Sequence, residues 1–171
     1  MSENSKIEKY KSAIHSTAKA IARSSINEKK DKFEKINRPK IVSTENIEEI
    51  LEARVLADSE ALKIKYSDEK LISEYQPSGS VAKTLYNVAE KIRYEKIGSD
   101  QFKGVKNNLN TFYQKKISES NVHSQNFISD AFVAYLRGKV MYFIVPENKK
   151  HHFKRLNEIL THRIHRPPWL I

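Results

Sequence analysis

The sequence predicts an all-α fold, an irregular bundle of about five to six helices built around a central antiparallel helical hairpin. Three observations lead there. Apolar residues recur at three- and four-residue spacing along nearly the whole chain, which is the repeat of one helix face. With only 4 glycines in 171 residues, a Rossmann fold, a P-loop enzyme or a turn-rich β-sandwich would lack the backbone positions that glycine serves best. Finally, 30% charged against 39% apolar residues describe helices with one thin buried face, in a single domain able to bury roughly two thirds of its unfolded surface.

The elements follow in chain order. Ile7, Tyr10, Ile14, Ala18 and Ile21 form one stripe, so residues near 5 to 24 are read as an amphipathic helix. Residues 25–43 have no stripe, carry Lys29-Lys30-Asp31-Lys32 and the helix-hostile Arg38-Pro39, and read as a solvated basic connector with a possible extended piece at Ile41-Val42. Thr44 is an N-cap candidate, with Glu45, Glu48 and Glu49 in the first turn, where the positive end of the dipole favours them. The stripe Ile47, Ile50, Leu51, Ala57, Ala61, Leu62 carries that helix to about Tyr66. Ser67-Asp68-Glu69 can cap a short segment from Lys70 to Tyr75, stopped by Pro77 and Gly79.

Ser78 or Ser80 is expected to cap the next helix, whose apolar face is Val81, Leu85, Val88 and Ile92. Gly98 suits the left-handed position that closes it, and Ser99 can cap the successor, with Phe102, Val105, Leu109, Phe112 and Ile117. Two amphipathic helices joined by one Gly-Ser step make the hairpin. Phe127, Ile128, Ala131, Phe132, Tyr135 and Leu136 are a further stripe. The run Val140 to Val145 fits a buried strand as well as a helix; helix to about Tyr142 is preferred, because a single strand would lack a partner. Phe153, Leu156, Ile159 and Leu160 suggest one more basic helix before Arg166-Pro-Pro-Trp-Leu-Ile171. The chain thus divides into an N-terminal helix (1–24), a connector (25–43), a helical core (44–145) and a basic C-terminal helix with a Pro-rich tail (146–171).

Several functions are excluded by residue type. There is no cysteine, which removes thiol catalysis, disulfides and thiolate metal sites. No apolar run approaches the ~20 residues of a membrane span, and the polar start lacks a signal-peptide apolar region, so a cytoplasmic location is expected. His151-His152 and His162-x-x-His165 could share a metal at i, i+3, but no Asp, Glu or Cys at ligand spacing completes a site, so no metal ligands and no catalytic residues are assigned. The formal net charge of +10 suits a nucleic-acid binder or a subunit docking on an acidic protein. The lysines are scattered rather than clustered, which is the pattern of solvated helix faces.

One polar group stands out by position. Asp58 lies at the edge of an apolar stripe, with Arg54 one turn earlier and Arg93 offered by the hairpin beside Glu90 and Glu95. A half-buried carboxylate needs partners. These residues, with Asn108, therefore form either an ion-pair network clamping helices together or a polar patch that recognises a partner subunit.

The same residues carry a resemblance. Arg54-Val-Leu-Ala57-Asp58-Ser59-Glu-Ala61-Leu62-Lys63, then Asp68, Glu90-Lys-Ile-Arg93-Tyr-Glu95-Lys-Ile97-Gly98 and Gly104-Val105-Lys-Asn-Asn108-Leu109 resemble the amino-terminal region of the T subunit of aerobic cobaltochelatase, the CobT family. Val55 stands where that family usually has Gly, and Ser67-Asp68 where it has His-Asp. The resemblance implies a role in cobalamin synthesis, in ATP-dependent insertion of Co²⁺ into hydrogenobyrinic acid a,c-diamide. It implies as partners an AAA+ ATPase subunit and a large corrin-binding subunit that performs chelation. ATP, Mg²⁺ and Co²⁺ are then used by the complex, with no cofactor bound by this chain. The family's von Willebrand A-type domain, with its Asp-x-Ser-x-Ser metal site, has no counterpart in these 171 residues, so a chain truncated before that domain is expected. The alternative reading from the charge alone is a small basic helical nucleic-acid-binding protein.

Overall fold

The computed structural model describes residues 3–23, 36–119 and 127–141, and six helices lie within them. They are α1 (Glu3–Ala22), α2 (Ile47–Tyr66), α3 (Glu69–Tyr75), α4 (Ser80–Gln101), α5 (Lys103–Glu119) and α6 (Phe127–Val140). No strand occurs among the described residues, so the fold is the all-α bundle expected. The histidine pairs, the basic helix expected after Pro146 and the Pro-rich tail lie outside them, as do residues 142–145 of the ambiguous run.

The bundle is organised by α2 and α4. Helix α1 packs on α2, α2 packs on α4 and α5, and α4 packs in turn on α5 and α6. Ala18 and Ala22 of α1, Ala61 and Leu62 of α2, and Leu109 of α5 are wholly buried. Small residues at these positions let helix axes approach closely, and the thin apolar faces close over one core. On α1 the expected stripe holds at Ile7, Ile14, Ala18 and Ile21, whereas Tyr10 is exposed.

The structure departs from the sequence reading in five places. Asn46, not Thr44, caps α2: its side-chain oxygen accepts from the Glu49 N–H at 3.2 Å. Ile47, read as the start of the buried stripe, is exposed, because the buried face begins a turn later and is wide, running through Ala53, Val55, Ala57, Asp58, Ser59, Ala61 and Leu62. Asp68 caps α3 as expected, accepting from Lys70 and Leu71. The N-cap of α4 is Gly79 in an extended conformation with no side-chain cap bond, so neither Ser78 nor Ser80 serves there.

The fourth departure is the connector. Its described part, from Ile36 onward, is non-helical as expected but not wholly solvated. Ile36 and Ile41 are 2% and 3% exposed and join the same core as α1 and α2. Two isolated isoleucines give no periodic signal, yet each buries enough apolar surface to pin a loop.

The fifth is the hairpin turn. Gly98 does not close a helix, and Ser99 does not begin one; α4 runs on through Gln101. The break is Phe102, whose extended backbone (φ −119°, ψ 99°) ends α4 while its N–H donates to the Gly98 carbonyl at 2.8 Å. Its own carbonyl accepts from Lys106 at 3.0 Å and starts α5. Gly98 serves packing instead. A β-carbon built there would lie 2.2 Å from Leu62 Cδ2 and 2.5 Å from Cδ1, so the absence of a side chain is what lets the fully buried Leu62 of α2 sit against α4.

The candidate site, a polar seam between α2, α4, α5 and α6

Three polar clusters lie along α2, two on its buried face and one at its C-terminal end, and they hold all six residues singled out from sequence. In the first, the Asp58 carboxylate is wholly buried. Its Oδ2 accepts from Arg54 Nε at 3.0 Å, one helical turn away, and from Asn108 Nδ2 of α5 at 3.2 Å. Arg93, expected as a possible partner, does not reach it. Burial pushes the Asp58 pKa up from the ordinary aspartate value, opposed by the Arg54 charge and the Asn108 hydrogen bond. Its other oxygen, Oδ1, is buried without a partner.

In the second cluster Arg93 turns the other way, toward the end of α2. Its Nε donates to Glu90 Oε2 at 2.6 Å, and Nη2 donates to Glu90 Oε1 at 2.8 Å and to the Tyr66 carbonyl at 2.6 Å. Glu90 also accepts from the Ser67 hydroxyl at 2.8 Å. The fork donates to an orphan carbonyl of the last turn of α2, so this cluster ties the α2–α3 junction to α4. The Arg93 hydrogen bond holds the Glu90 carboxyl below its usual range, against a smaller opposing effect of burial. Glu90 in turn raises the Arg93 guanidinium further.

The third cluster is the most buried and was only half visible in the sequence. Glu95, expected as a flank of Arg93, is its centre at 0% exposure. Its Oε1 accepts from the Ser59 hydroxyl of α2 at 2.6 Å, and its Oε2 accepts from Arg137 Nη2 of α6 at 2.5 Å. The Arg137 guanidinium carbon lies 3.3 Å from the centre of the Tyr113 ring, stacking on α5. Ser59, Tyr113 and Arg137 were missed as site residues. Arg137 directly follows the apolar pair Tyr135-Leu136, and a cation flush with an apolar stripe was the available signal. Burial raises the Tyr94 hydroxyl to about 12 and that of Tyr113 still further, the latter with the Glu95 charge adding to the effect.

The chemistry visible in this arrangement is the joining of helices through charged and neutral hydrogen bonds. The two fully buried carboxylates are each held by cations and neutral donors, and no group of three or more His, Asp or Glu among the described residues could hold a metal ion. Nor is any helix among them long and apolar enough to cross a membrane. The polar side chains of these three clusters join the helices of the bundle to one another. The chain belongs to the family described as cobalamin biosynthesis protein CobT, which it matches over residues 4–166. Its role therefore lies in cobalamin biosynthesis. No solved structure matches it.

Proposed function

We propose that this chain is a non-catalytic part of ATP-dependent cobaltochelatase, supporting the insertion of Co²⁺ into hydrogenobyrinic acid a,c-diamide. The family membership across residues 4–166 is the observation that carries this reading. In it, Co²⁺ is substrate, and ATP and Mg²⁺ belong to the AAA+ ATPase subunit. The sequence has no Gly-rich phosphate loop of its own, which is why the reading assigns the nucleotide to that subunit. The large subunit binds the corrin and carries out chelation, and this chain holds a fixed helical framework against its partners. Exposed apolar side chains support a role in assembly: Leu71 and Tyr75, one turn apart on α3, are both more than half exposed, and clustered apolar exposure marks contact surfaces.

The test is co-purification of the chain with the ATPase subunit, together with cobalt insertion by the reconstituted subunits in its presence and absence. The reading requires binding and a loss of insertion without the chain. A chain that ignored the ATPase subunit but bound duplex DNA with a steep loss of affinity in salt would overturn it in favour of a nucleic-acid role.

A further inference from the structure

A pocket of about 70 Å³ lies where α4, α5 and the residue after α6 meet, lined by Lys96, Ser99, Asp100, Lys106, Asn110 and Met141. Two of its wall groups are unsatisfied. The Ser99 hydroxyl sits on a side chain only 4% exposed and has no hydrogen-bond partner. Asn110 Oδ1, from the helix opposite, is also buried and unpartnered. A buried polar atom left unpaired is destabilising, and two that converge on one void point to a group that satisfies both. Helix geometry makes the convergence specific, since Lys96 and Ser99 share a face of α4 at i, i+3, and Lys106 and Asn110 share a face of α5 at i, i+4.

Charge and size narrow the occupant. The lining has two lysines against one aspartate, in a chain of net charge +10, so an anion is favoured over a cation. Lys96 Nζ is held by both oxygens of Asp100 at 2.5 Å. Lys106 is exposed and forms no ion pair among the described residues, and so is available at the mouth. The volume has room for roughly two waters at about 30 Å³ each, or for one tetrahedral oxyanion. Ser99 and the lysines supply donors, while Asn110 Oδ1 asks for a proton. A phosphate near neutral pH offers several acceptor oxygens and, in its protonated fraction, an O–H; sulfate offers no such proton.

We infer that this pocket binds a phosphate group, as the free ion or as the terminal phosphoryl of a larger ligand whose remainder stays in solvent beside Lys106. The inference does not depend on the cobaltochelatase reading. The experiment is thermal unfolding of the full chain at pH 7 in phosphate, sulfate and chloride at equal ionic strength, with calorimetric titration of inorganic phosphate and of glycerol phosphate. Phosphate is expected to raise the melting temperature above both other salts. Lys106→Gln and Ser99→Ala should each weaken phosphate binding about tenfold or more, the scale of losing one charge-assisted bond, while Lys103→Gln on the same helix should not. Glycerol phosphate binding as tightly as phosphate identifies a phosphoryl ester as the source; phosphate binding alone identifies the free ion. Equal melting in all three salts means that the pocket holds water only and overturns the inference. So does a phosphate effect that survives both pocket substitutions.

Discussion

Glu95 and Arg137, 42 residues apart in the chain, meet at 2.5 Å with almost no exposure of either side chain, so that α4 and α6 are joined through a desolvated ion pair. Taking two charges out of water is expensive, and their attraction offsets that only when the remaining lone pairs and protons are also satisfied. Glu95 meets the condition through Ser59. Arg137 meets it less well, since its Nε and Nη1 have no partner and it relies on the Tyr113 ring face.

Arg137→Met should therefore destabilise the domain by about 3 to 5 kcal/mol, the cost of stranding a buried carboxylate. The double variant Glu95→Leu with Arg137→Met should lose distinctly less than the sum of the two single changes, because neither charge is then left alone. Urea titration of the four proteins measures the coupling. Strict additivity would show that the two side chains do not interact.

Gly98 gives a second prediction, resting on the contact with Leu62 rather than on a turn. Gly98→Ala places a methyl within 3 Å of the side chain of the fully buried Leu62, which must shift, and overpacking of this kind costs about 1 to 3 kcal/mol. Leu62→Ala alone should cost about 2 to 5 kcal/mol by opening a cavity. In the double variant the new methyl occupies part of that cavity, so the Gly98→Ala penalty should shrink or vanish. A penalty of equal size in both backgrounds would place the strain elsewhere.

How much of this was legible in the sequence depends on which physical signal each feature leaves. Helices announce themselves by period, and five of the six described lie where apolar spacing placed them, while α3 was marked by its cap and by Pro77 and Gly79. Boundaries depend on one backbone torsion or one hydrogen bond, so the sequence reading placed the α2 cap at Thr44, whereas the Glu49 N–H donates to Asn46. Gly98 was correctly marked as special but for the wrong reason, because a glycine for close approach and a glycine for a left-handed turn look the same in a sequence. Asp58 was legible as an apolar-edge carboxylate with Arg54 at i−4. Glu95 with Arg137 was not, since that pair spans two helices and nothing in linear spacing connects them.

Glu90 gives a pH-dependent prediction. Its folded pKa lies below its unfolded value, because the Arg93 fork favours the carboxylate. The folded state therefore binds fewer protons than the unfolded one, and the stabilisation is present above the unfolded pKa and lost as pH falls toward the folded one. Arg93 is nearly half exposed, which limits the contribution to under about 1 kcal/mol. Glu90→Gln should be slightly less stable than wild type at pH 7 and indistinguishable near pH 3. A difference that persists in acid would assign the effect to packing rather than to charge.

Asp58 behaves in the opposite sense, and this separates it from an ordinary stabilising ion pair. Burial is the largest influence on it and raises its folded pKa above the unfolded value, despite Arg54 and Asn108. The folded state then binds more protons than the unfolded one, so stability falls as pH rises from the unfolded pKa through the folded pKa. Asp58→Asn removes the titration while retaining the size and one acceptor oxygen for Arg54 and Asn108. It should match wild type near pH 3 and become relatively more stable as pH rises past the ordinary aspartate range. Asp58→Ala differs, because it leaves a void beside Asn108 and takes the counter-charge from Arg54. Arg54 is 24% exposed and so partly solvated, which places the cost at about 2 kcal/mol, below that of stranding a fully buried charge. Urea titrations from pH 3 to 8 distinguish these outcomes. If Asp58→Asn lost stability relative to wild type with rising pH, the ion pair with Arg54 would outweigh desolvation, and the clamp would be held by charge rather than by shape and hydrogen bonding.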